Sequence, residues 1–83
     1  MRDKYGLNLQ SGDFIKYLSL YGVIIDEKKA YLLNSADNKY YVSNFIPREC
    51  ELKNNKTFHE KELYDEIMRN YHLYISNRKK ERA

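Results

Sequence analysis

The sequence predicts an α+β fold, an antiparallel sheet of short strands followed by one long C-terminal helix. Three observations predict it. A capping sequence at Thr57 opens a helical pattern that neither Gly nor Pro interrupts. Short runs of Val, Ile, Leu and Tyr recur through the middle of the chain between turns rich in Asp and Asn. The 83 residues suffice for one hydrophobic core of modest size, so one domain is expected over 1–83.

The helix is the clearest element. In Thr57-Phe58-His59-Glu60 the Thr hydroxyl can accept the Glu60 N–H while the Glu60 carboxylate reaches back to the Thr57 N–H. Leu63, Tyr64, Ile67, Met68, Tyr71, Tyr74 and Ile75 then recur at three- and four-residue steps and form one apolar stripe. Glu60, Glu62, Asp65 and Glu66 fill the first turns, and Arg78, Lys79, Lys80 and Arg82 the last. This polarity suits the helix dipole. The spacing predicts a helix over 57–78 and a basic tail over 79–83, where terminal charge is most simply solubilising.

Ahead of it, Val23-Ile24-Ile25, Ala30-Tyr31-Leu32-Leu33 and Tyr40-Tyr41-Val42 read as strands of a meander, separated by Asp26–Lys29 and Asn34–Asn38. Phe45-Ile46-Pro47 turns the chain, Cys50-Glu51-Leu52 can form a last short strand, and Lys53–Lys56 is a linker. Residues 13–21 fit two descriptions. Phe14, Tyr17, Leu18 and Tyr21 stand at helical spacing, which gives an order of helix, three-stranded meander and helix. Alternatively, Gly12-Asp13-Phe14-Ile15-Lys16-Tyr17 followed by Gly22-Val23-Ile24-Ile25 resembles the opening strands of an SH3-like small β-barrel. The resemblance covers residues 12–52, about half the chain, and its motifs are short. It implies that the strands close into a small barrel with the C-terminal helix packed on it.

Composition narrows the function classes. The net charge of +3 is too small to implicate nucleic acid by itself. One cysteine, Cys50, excludes an internal disulfide, and no segment reads as a signal peptide or a membrane span, so a cytoplasmic protein with no membrane association is expected. Asn55-Lys56-Thr57 matches a glycosylation sequon and is read as chance. Lys, Asn, Ile and Tyr, which have AT-rich codons, outnumber Ala, Gly, Pro and Arg, which points to an AT-rich bacterium, its phage or a plasmid.

No residue set points to catalysis, to a metal or to a cofactor. His59 and His72 lie thirteen residues apart, about 20 Å along a helix, and cannot share one ion. His59-Glu60 lacks a second His four residues on, where Leu63 stands. Cys50 is expected to be a packed thiol without a general base. Two binding readings follow. The first is a noncatalytic protein-binding module, a small regulator or inhibitor from a phage or other mobile element. Its contact surface would hold Leu73, which stands opposite the apolar stripe, with His72, Tyr40 and Tyr41. The alternative is a small nucleic-acid-binding protein that uses Lys16, Lys28, Lys29, Tyr31, Lys39 and Tyr41, where rings interleave with cations. A homodimer is compatible with either.

Overall fold

A computed structural model describes the backbone of residues 1–82 and the side chains through Arg78, so the expectation for the basic tail 79–83 lies outside the described side chains. The elements run β1 (Phe14–Tyr17), β2 (Leu20–Ile24), β3 (Lys29–Asn34), β4 (Lys39–Asn44), a 3-10 turn at Pro47–Glu49, β5 (Cys50–Leu52) and α1 (Phe58–Arg82). The five strands form one antiparallel sheet in the order β4-β3-β2-β1-β5. The fold is therefore α+β, with one sheet and one C-terminal helix.

Of the two descriptions of residues 13–21 the strand description holds, since they lie in the β1–β2 hairpin, and the helix alternative is corrected. The apolar positions follow strand alternation, with Phe14 and Val23 on one face and Ile15, Tyr17 and Ile24 on the other. The two-residue turn that joins them, Leu18-Ser19, has φ of 52° and 81°. Such turns ordinarily carry Asn-Gly, so no local signal marked the turn. The strands also do not close into a barrel. β5 has only three residues, and the N-terminal segment occupies its outer edge, so β4 and β5 remain the two ends of an open sheet.

Both faces of β1, β2 and β3 are buried. On one, Ile15, Tyr17, Ile24, Ala30, Leu32 and Cys50 pack with Leu9 and Phe45. On the other, Phe14, Val23, Tyr31 and Leu33 receive Ile67 of α1, flanked by Leu63, Tyr64, Met68, Tyr71 and Tyr74. The stripe read from the sequence is therefore the docked face. Gly22 stands opposite Leu32, where a Cβ would run into the Tyr31 carbonyl and the Leu32 backbone and side chain. Its lack of a side chain lets β2 and β3 approach there.

The capping box forms as expected: Glu60 N–H donates to Thr57 Oγ1 at 3.2 Å, and Thr57 N–H donates to Glu60 Oε1 at 3.0 Å. Denaturant melts test this packing directly. Ile67→Ala, at a fully buried position, should cost about 2–5 kcal/mol. Thr57→Ala should cost about 1 kcal/mol, and Gly22→Ala about 1–3 kcal/mol through overpacking. Unchanged melts for Ile67→Ala would contradict the docked helix.

Candidate functional site

The two edges of the sheet are treated differently. Hydrogen-bonded pairs alternate along an antiparallel ladder, so one such bond fixes which residues face inward and which outward. The Lys53 N–H donates to the Phe14 carbonyl, which turns Glu51 toward β1 and Cys50 and Leu52 outward. Those outward groups are occupied: Lys4 N–H donates to the Cys50 carbonyl at 2.9 Å, and Leu52 N–H donates to Asp3 Oδ2 at 2.9 Å. Asp3 is itself buried and accepts the Tyr5 and Leu7 N–H groups through Oδ1. Burial pushes its pKa upward, and the three backbone donors outweigh burial and hold the carboxyl below its ordinary range.

Among the described residues no segment covers β4, although the Ser43 hydroxyl donates to the Asn44 carbonyl at 3.0 Å. Phe45 N–H donates to the Lys28 carbonyl, so Lys39, Tyr41 and Ser43 face β3, while Tyr40, Val42 and Asn44 direct their N–H and C=O groups away from the sheet. Along this edge Val42 is 41% exposed on the helix side of the sheet and Tyr41 is 44% exposed on the other. Six residues, Lys-Tyr-Tyr-Val-Ser-Asn, contain no Pro and one charge, at the end. Native edges usually carry some device against pairing. Lys39 aside, β4 has little of the kind.

The helix lies over β2 and β3 and is fixed by polar contacts at two points. Near its start, the Glu60 carboxylate accepts Tyr21 Oη at 2.8 Å and Lys53 Nζ at 3.1 Å, and Lys53 also pairs with Glu51 at 3.0 Å. Further along, Asn70 Nδ2 donates to Tyr40 Oη at 3.1 Å. Beside the Asn70 contact Tyr31 is enclosed by Tyr40, Tyr71 and Tyr74, with ring centroids 5.2, 5.5 and 5.3 Å away. Because Asn70 faces Tyr40, the flank of α1 on that side looks toward β4. At about 100° per residue Leu73 lies on this same flank, about 120° from Ile67, and His72 about 140° round the other way. Leu73 is 63% exposed.

The expected contact residues are thus divided. Leu73 is on the flank that faces β4, whereas His72 turns to the opposite flank. Tyr40 is half-buried beneath Asn70 and Tyr31, and Tyr41 lies on the far face, its hydroxyl donating to Asp37 Oδ2 at 2.6 Å. The residues of the nucleic-acid reading do not form one track. Lys28 and Lys29 lie at the end of β3 where Asp26 accepts both backbone N–H groups. Lys39 is at the opposite end, about 17 Å away along the strand. Lys16 sits over the Tyr21 ring at 5.7 Å, and Tyr31, only 7% exposed, offers no face to a base.

Asp3, Asn70, and the Tyr21–Glu60–Lys53 cluster were not singled out from the sequence as site residues, apart from the capping role of Glu60. Asp3 followed by Gly6 is the one local signal among them, since Asp side chains commonly bond backbone N–H groups just ahead in turns. Cys50 is fully buried; burial first, and then the Asp3 charge, push its thiol up to about 11. No group of three or more His, Cys, Asp or Glu able to hold a metal ion occurs among the described residues. No helix among them is long and apolar enough to cross a membrane. Comparison with protein families, with curated proteins and with solved structures finds no match.

The Glu60 clamp sets an acid limit. The backbone N–H of Thr57 is the largest influence and, despite burial, it acts with Tyr21 and Lys53 to lower the Glu60 pKa from 4.5 to about 2. A folded-state pKa below the unfolded one stabilises fully above the unfolded value and is lost as pH falls through the folded one. Thermal melts should therefore show stability declining between about pH 4.5 and about pH 2, and Glu60→Gln should flatten part of that decline. An acid limb identical in the variant would show that Glu60 does not set it.

Proposed function

We propose that this chain is a noncatalytic protein-binding module that engages an extended segment of its partner by adding it as a strand to β4. The observation that carries this reading is the contrast between the edges. Asp3 and Lys4 use up outward-facing backbone groups of β5, while those of Tyr40, Val42 and Asn44 face outward from β4 beside exposed Val42. In strand addition the backbone supplies affinity and alternate side chains supply selection. Exposed Leu73 on the α1 flank offers apolar surface to side chains on the helix side of such a strand.

Several features support the noncatalytic part of the reading. The one thiol is buried and its pKa is raised, so it is neither accessible nor a thiolate near neutral pH. The two histidines are exposed on a single helix. The kinship with SH3-like small barrels belongs to this proposal, supported by the strand order β4-β3-β2-β1-β5 and by the 3-10 turn before β5. So do a cytoplasmic home and an origin as a regulator on a phage or other mobile element, which rest on cysteine usage and amino-acid composition.

Val42→Pro tests the reading, because the Val42 N–H faces outward and its loss leaves the β3–β4 ladder intact. Capture of partners from a host lysate with wild-type and variant bait is the measurement. Partners held by the wild type should be lost from Val42→Pro and should persist as salt rises, whereas nucleic acid would dissociate steeply. Equal capture by both baits would contradict binding at β4.

A further inference from the structure

We infer that the segment that adds to β4 is β4 of a second copy of this chain, paired antiparallel about a two-fold axis at Val42; the inference rests on β4 being the binding edge. The outward-facing residues Tyr40, Val42 and Asn44 are symmetric about Val42. A two-fold there sets Val42 opposite its own counterpart, Tyr40 opposite Asn44 of the second copy, and Tyr41 opposite Ser43. Every outward-facing residue then meets an outward-facing one, and each such pair exchanges two backbone hydrogen bonds.

The side chains are self-complementary in the same register. Lys39, the one charge on β4, falls beyond the strand opposite Phe45, so like charges are not opposed. On the helix side, exposed Val42 packs against its counterpart. A two-fold perpendicular to the sheet places both helices on the same face, with the flanks that carry Asn70 and Leu73 turned toward the axis. On the far side, Tyr41 becomes the diagonal neighbour of its counterpart, within reach of a large ring. Val42 and Tyr41, two of the exposed large apolar side chains, thus stand on the two faces of this edge, and exposed Leu73 lies on the helix flank above it. A foreign strand would have to supply apolar groups at each of these places, and the chain already carries them. Such an isologous contact closes as a dimer and does not propagate.

Sedimentation of the full chain from micromolar to millimolar concentration, together with cysteine crosslinking, tests the inference. Wild type should sediment as a dimer at the upper end. Val42→Pro and Leu73→Lys should each weaken association by at least about tenfold while circular dichroism shows the fold retained. Should Val42→Pro fail to fold, crosslinking decides independently. Antiparallel hydrogen-bonded partners lie about 5.5 Å apart, within disulfide range, so Val42→Cys should crosslink to itself under mild oxidation. Asn44→Cys should not, because its counterpart is four residues along. Buried Cys50 does not compete. A wild type that is monomeric throughout, yet binds a foreign partner that Val42→Pro loses, would overturn the second copy and leave strand addition standing. A dimer unaffected by Val42→Pro and uncrosslinked through Val42→Cys would overturn the role of β4 in self-association.

Discussion

Asp3 accepts the outward N–H of Leu52, and the neighbouring Lys4 N–H serves the Cys50 carbonyl. An open sheet has two edges, and each outward-facing peptide group on them needs a partner or water. The N-terminal segment can serve only the one it follows into the fold. Its path is held by the Asp3 turn, by the Arg2–Asn8 bridge and by burial of Leu9 under the sheet. With β5 covered in this way, β4 is the edge of the sheet left open.

The cores determine how that edge is presented. Because both faces of β1, β2 and β3 are buried, the sheet is rigid where it supports β4. On the helix side, polar groups fix what apolar packing alone would leave free to slide. Glu60 ties the start of α1 to Tyr21 and Lys53, and Asn70 ties its middle to Tyr40. Nine tyrosines suit this design, since their rings pack like core residues while Tyr21 and Tyr40 spend their hydroxyls on the helix. The consequence is a fixed rotation of α1, and that rotation brings Leu73 to the β4 side.

Much of the fold was legible in the sequence because its signals are local. The Thr57–Glu60 cap and the stripe from Leu63 to Tyr74 mark the helix, and the Asp- and Asn-rich turns bound β3 and β4. Gly12–Tyr17 and Gly22–Ile25 marked the strands of the β1–β2 hairpin but left a helix open as well, because the turn Leu18-Ser19 is left-handed without the residues that usually announce one. Barrel closure was expected from the SH3-like resemblance, yet the N-terminal segment occupies the β5 edge, and no pattern within 12–52 records that. The site was legible only in part. Leu73 stood out against the helical pattern, but its neighbour His72 was assigned to the same face although a step of about 100° separates them. The basic–aromatic interleaving suggested one surface, and the strand register distributes those lysines to opposite ends. Asp3 and Asn70 act across the chain, where spacing carries no information.

Residue-resolved amide hydrogen exchange along β4 and β5 addresses the asymmetry of the edges most directly. In dilute solution the Leu52 amide should be protected by Asp3. Tyr41 and Ser43 should be protected by β3, and Val42 and Asn44 between and beside them should exchange freely. Raising the protein concentration should slow Val42 and Asn44 selectively. Uniform protection along β4 in dilute solution, or a Leu52 amide as labile as that of Val42, would contradict the account.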